Sequence, residues 1–135
     1  MANEPVIVAG AGSWGTALAL VLARNNHSVY LWGHDPAHIG RLQKERVNRQ
    51  YLPDIALPQA IVPITSLQQN LQQSRTVIIA VPCCGLSDVL NQLLPAVDSG
   101  LRICLACKGL ATGAELLNHE VVRHVLGDIG TAVLS

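Results

Sequence analysis

Apolar residues along the chain fall into two alternating kinds of run. Short unbroken runs rich in β-branched residues, Val6-Ile7-Val8-Ala9, Val29-Tyr30-Leu31-Trp32, Ile61 to Ile64, Thr76 to Val81, Arg102 to Ala106 and Thr131 to Leu134, read as strands. A strand covered on both faces of a sheet has no polar side to show. Between these runs the apolar positions recur at helical spacing. From Ser13 onward Trp14, Ala17, Leu18, Val21 and Leu22 follow it, predicting a helix that Asn25-Asn26-His27 ends. His38 to Val47 is polar and helix-compatible, Ser66 to Gln73 is a Gln-rich helix capped by Ser66, Leu86 to Val97 a helix trimmed near Pro95, and Glu115 to Leu126 a further helix. Asn48 to Pro58, with two prolines, reads as an irregular connection, and connections of that length often carry function.

Six strands alternating with helices predict an α/β fold: a doubly wound parallel sheet of the Rossmann type, about six strands with flanking helices. The 135 residues suffice for one core and not for two, so residues 1–135 are read as one domain with no internal repeat or linker. The sequence stops within a strand at Val133-Leu134-Ser135, and the expectation is a domain cut from a longer protein.

Composition narrows the partners. Nine basic residues balance nine acidic ones, leaving no overall field to draw in nucleic acid or an anionic membrane. Any anion site must be local. Met1 to Pro5 lacks the features of a signal peptide and no run reaches about 18 apolar residues, so a cytoplasmic protein without membrane insertion is expected. There is no Phe, and the core must be aliphatic. Cys83, Cys84, Cys104 and Cys107 sit in apolar surroundings, and Cys104-x-x-Cys107 has no second pair to complete a zinc site. Buried reduced thiols and no metal are expected.

The strongest local chemistry is Gly10-Ala11-Gly12-Ser13-Trp14-Gly15, a G-x-G-x-x-G turn between the first strand and the first helix. Gly10 permits the tight turn, Gly12 lets the backbone approach a pyrophosphate, and Gly15 lets helix and strand pack closely. The helix start then favours the diphosphate of a nicotinamide dinucleotide. At the end of the second strand, where NAD sites place an acid on the ribose, the chain has Gly33-His34-Asp35. His34 or Arg41 could contact a 2′-phosphate, favouring NADPH, while Asp35 reaching the ribose would keep NADH open. Val81-Pro82 ends the strongest strand, so Pro82 with Cys83-Cys84 is expected to wall the nicotinamide side. Lys108 follows the strand Arg102 to Ala106 and is expected at the carboxyl edge of the sheet, where a cation binds phosphate or polarises a carbonyl.

With these residues assembled, the chain resembles the N-terminal half of the bacterial-type NAD(P)-dependent glycerol-3-phosphate dehydrogenases along its whole length. The resemblance rests on Gly10-Ala11-Gly12-Ser13-Trp14-Gly15-Thr16-Ala17-Leu18-Ala19, Leu31-Trp32-Gly33-His34-Asp35, Asn48, Tyr51-Leu52-Pro53, Leu57-Pro58, Val81-Pro82, Lys108-Gly109-Leu110 and Val133-Leu134-Ser135. It implies interconversion of dihydroxyacetone phosphate and sn-glycerol 3-phosphate with NADPH (NADP) or NADH, serving glycerophospholipid synthesis. It further implies that Ser13, Trp14 and His34 contact cofactor and that Lys108 touches both cofactor and substrate. The family's general acid and base is a lysine of a helical C-terminal domain, so no catalytic residue is expected in this chain, which should bind cofactor and turn over little. Cys83, where the family commonly has Ser, and Asp54, where Gly often follows Tyr-Leu-Pro, depart from the pattern. A homodimer of the full-length protein is left open. Two other readings stand beside this one: a β-hydroxyacid or ketopantoate-type dehydrogenase, and a non-catalytic Rossmann module that senses nucleotide.

Overall fold

The computed structural model describes residues 4–82, 85–106 and 118–134. The first aliphatic run forms β1 (Val6–Ala9), all four residues buried, and the glycine turn leads into α1 (Ser13–Arg24). The second run forms β2 (Val29–Trp32), followed by α2 (Pro36–Glu45). A small antiparallel ribbon, β3 (Val47–Asn48) with β4 (Leu52–Ala56), precedes β5 (Ile61–Ile64) and the single-turn α3 (Leu67–Asn70). Then come β6 (Thr76–Ile79), α4 (Leu86–Leu93), a 3-10 segment (Leu94–Ser99), β7 (Arg102–Leu105), α5 (Asn118–Leu126) and β8 (Gly130–Val133).

Six strands pair side by side in the order β5-β2-β1-β6-β7-β8, every pair parallel. The expected doubly wound sheet is therefore the observed fold, its order reversing between β1 and β6. Alternate residues of each strand feed opposite faces. Val8 joins Ala19, Leu20, Leu31, Ile39, Leu42 and Ile61 in one core. Ile7 and Ala9 join Val77, Ile79, Leu86, Leu90, Ile103 and Leu105 in the other. Both cores are built from Val, Ile, Leu and Ala, with Trp32 the only aromatic ring among their buried residues.

Several expectations need correction. The buried side of α1 is Gly15, Thr16, Ala19 and Leu20, while Trp14 and Val21 of the expected apolar stripe are exposed. Asn48 to Pro58 is not irregular throughout, since it holds most of the ribbon. Pro53 is tolerated because a two-stranded ribbon has free edges where a missing N–H costs nothing. The helix α2 starts at Pro36, two residues before the expected His38, because Asp35 caps it: its Oδ1 accepts from the Ala37 amide at 3.0 Å. β6 ends at Ile79 rather than Val81, as the register partners of its neighbours end there. The helix after Leu86 tightens to 3-10 geometry at Leu94, where Pro95 removes an amide donor. Ser66 does cap α3, though the helix closes at Asn70.

Candidate functional site

The carboxyl ends of the parallel strands finish in one row, Ile64, Trp32, Ala9, Ile79, Leu105 and Val133 being register partners across the sheet. The residues following four of them are small, namely Gly33, Gly10, Ala80 and Ala106, and all four line one cleft of about 730 Å³. Ladder-like hydrogen bonds hold that rim: the Gly10 amide donates to Trp32 O, Ala80 to Ala9 O and Ala106 to Ile79 O, each at 2.8 Å. The cleft thus opens at the carboxyl edge where strand order reverses, the place where open α/β sheets bind ligands. Its volume is that of a small-molecule site.

The three glycines of the turn differ in their surroundings. Gly10 has φ +131°, and a Cβ there would stand 2.7 Å from the Ala80 carbonyl carbon. A Cβ on Gly15 would lie 1.7 Å from Gly10 O, so α1 can approach the turn only with hydrogen at that position. A Cβ on Gly12 would meet nothing within 4 Å, and Gly12 lines the cleft. The space a side chain would fill is kept open on the ligand side, which fits a pyrophosphate laid against the backbone. Gly12 also precedes α1 as its N-cap with no side-chain hydrogen bond, and the first turn carries no acid. The positive end of the helix therefore opens on the cleft with no carboxylate in its own first turn.

Ser13 and Trp14 line the same cleft. The Trp14 indole Nε1 donates to Ala106 O at 3.0 Å, tying the glycine loop to the end of β7 while the ring stays 45% exposed. His34 and Asp35 line the cleft after β2. Asp35 is engaged as the α2 cap, leaving exposed His34 as the more available side chain at this end. Arg41 lines an adjoining hollow of about 300 Å³ rather than the cleft itself, together with Glu45 and Arg49, and the two share His38 and Gln50. Pro82 lines the cleft beside Val81. Lys108 lies outside the described residues, as do Cys83, Cys84 and Cys107.

Among the cleft residues not singled out by sequence as ligand contacts are His38 of α2 and Gln50 and Tyr51, delivered by the turn of the ribbon. His38 packs edge-on against Tyr51, with ring centroids 5.5 Å apart, and bonds to the buried Asn48. No local pattern marks such a wall, because the ribbon reaches the glycine loop across a gap of more than 30 residues. Cys104 is partly buried in β7, and desolvation pushes its thiol above the ordinary range. Among the described residues no three His, Cys, Asp or Glu side chains gather as metal ligands, and no helix is long and apolar enough to cross a membrane.

Comparison with known proteins gives a consistent picture. Residues 5–135 match the model of the NAD-dependent glycerol-3-phosphate dehydrogenase N-terminus. A protein of Sodalis glossinidius named glycerol-3-phosphate dehydrogenase (NAD(P)+) is 50% identical over 134 residues, covering 98% of this chain and 40% of that protein. Its counterpart in Bartonella henselae is 47% identical over 129 residues, covering 95% of this chain and 38% of that protein. The crystal structure of glycerol-3-phosphate dehydrogenase from Coxiella burnetii superposes with a TM-score of 0.91 at 40% identity, over 97% of this chain and 40% of that one. The chain thus spans about two fifths of the length of the relatives it matches.

Proposed function

The chain belongs to the NAD-dependent glycerol-3-phosphate dehydrogenase N-terminal family, and from that premise we propose that it is the cofactor-binding part of an oxidoreductase interconverting dihydroxyacetone phosphate and sn-glycerol 3-phosphate. The observation that carries the reading is Gly12, open to the cleft at the start of α1 and at the switch point of the sheet. Here the backbone of residues 10–15 and the helix terminus receive the pyrophosphate. His34 meets the adenosine end, where a neutral or cationic imidazole tolerates a 2′-phosphate that a free carboxylate would repel. Pro82 and Val81 wall the nicotinamide side. Bound there, a nicotinamide dinucleotide supplies a hydride from its ring. Lys108 is assigned to substrate and cofactor on the family resemblance alone, as a cation that orients the substrate and polarises its carbonyl. No general acid or base is assigned to this chain, so by itself it binds cofactor and turns over little or nothing.

A chimera tests the reading: residues 5–135 replace the matching part of the Sodalis glossinidius protein, and NADPH oxidation is followed with dihydroxyacetone phosphate. The chimera is expected to reduce it, and to lose that activity on Lys108→Ala by about a hundredfold or more, the scale of one removed electrostatic contact to reacting atoms. A chimera that binds NADPH yet reduces only another class of ketone, such as a 2-oxo acid, would overturn the substrate assignment.

A further inference from the structure

Asn48 is wholly buried at the end of β3, and its side-chain amide is engaged on every side. Its Nδ2 donates to the Ala11 carbonyl and to Thr16 Oγ1, both at 2.9 Å, and its Oδ1 lies 3.0 Å from His38 Nε2. Ala11 decides the orientation of this amide, since the reverse would set Oδ1 against a carbonyl oxygen, acceptor on acceptor. With both N–H groups spent, Oδ1 must accept, so His38 donates from Nε2.

The partners of Asn48 stand on the two sides of the pyrophosphate turn. Ala11 lies between Gly10 and Gly12, and Thr16 closes the first turn of α1, its amide donating to Gly12 O at 3.0 Å. A turn rich in glycine has much backbone freedom to lose, on the order of 1–2 kcal/mol per residue fixed, unless something fixes it beforehand. One buried side chain bracing the carbonyl of Ala11 and the hydroxyl of Thr16 does so. Through His38 the same side chain also seats Tyr51, whose ring packs against the imidazole and forms part of the cleft wall.

We propose that Asn48 is a positioning residue for cofactor binding. It touches no ligand. It holds the Ala11 carbonyl back so that the amides of the turn face the pyrophosphate, and it couples the ribbon wall to that turn through His38. The inference rests on the dinucleotide reading of the cleft.

The test measures binding of NADPH, of ADP-ribose and of adenosine 2′-monophosphate, which has no pyrophosphate, to the full chain and to two variants. Asn48→Ala removes the brace, and Asn48→Asp keeps the size while placing an oxygen against Ala11 O. In a variant that unfolds cooperatively, affinity for NADPH and ADP-ribose should fall by about tenfold or more, the scale of a lost hydrogen bond to a group that must be preorganised, while the monophosphate stays within about twofold. Wild-type affinity in a folded variant would overturn the proposal, as would equal weakening of all three ligands, which marks general loosening. Failure of both variants to fold would do the same by making Asn48 a residue of stability. If the unaltered chain itself binds no NADPH, the dinucleotide reading has failed first, and this proposal with it.

Discussion

The glycines at 10, 12 and 15 share a motif but not a penalty. At Gly15 an added methyl would overlap the carbonyl oxygen of Gly10, backbone on both sides, so nothing nearby can yield cheaply. Gly15→Ala should cost about 3 kcal/mol, the upper end for an overpacked site, read as a lowered urea midpoint. The tight turn at Gly10 and the close helix approach at Gly15 were legible in the sequence because each is a local demand of one turn. Asn48 was legible only as part of a family pattern, since its partners Ala11 and Thr16 come from a distant stretch of chain. Cys104, read from the sequence as a buried thiol, is only partly buried in β7. Alkylation proceeds through the thiolate, and burial raises this thiol, so its charged form appears only at higher pH than in an exposed cysteine. Mapping iodoacetamide labelling by mass spectrometry should find Cys104 slow at neutral pH, with a rise displaced to more alkaline pH than in the unfolded chain. A rise coinciding with that of the unfolded chain would contradict the assignment.

At the scale of elements, the existence of each helix was read more securely than its face or its ends: in α1 the stripe read as apolar leaves Trp14 and Val21 exposed, and the buried side is Gly15, Thr16, Ala19 and Leu20. The apolar positions Leu86, Val89, Leu90 and Leu93 of α4 are all buried, as their spacing requires. The start of α2 was missed although Asp35-Pro36 carries both signals, a capping carboxylate followed by a residue whose absent amide is no loss. Its other end is also built, with Arg46 in the left-handed region at φ 59° and its guanidinium bonded to Pro58 O and Ile61 O at 2.7 and 2.8 Å. Asp35→Ala should lower stability by about 1 kcal/mol, the usual worth of such a cap, seen in thermal unfolding. Because Asp35 is engaged with the helix, the ratio of NADPH to NADH affinity should move less than about threefold, and a large swing would assign the carboxylate to the ribose instead. The ribbon β3–β4 escaped sequence reading for a physical reason: two short strands with a proline pair only with each other, and what orients them is the buried Asn48 network rather than an alternating pattern.

For the whole molecule, alternation of aliphatic runs with helical segments was enough to specify a parallel sheet, since crossovers of this kind leave both faces covered. Strand order then follows from the doubly wound rule, and with it the location of the cleft at the reversal between β1 and β6. What could not be read locally was which side chains from outside the turn close that cleft. The central claim is that this cleft binds a nicotinamide dinucleotide on the backbone around Gly12. The chain has two tryptophans, Trp14 in the cleft and Trp32 buried at the end of β2, so a ligand entering the cleft should be reported by the exposed one. Titration with NADPH and with NADH, following tryptophan emission, tests the claim most directly. Saturable quenching, stronger for NADPH and abolished in Gly12→Val while the melting temperature of that variant stays unchanged, is the predicted result. No quenching by either nucleotide in a cooperatively folded chain, or quenching that survives Gly12→Val, would contradict it.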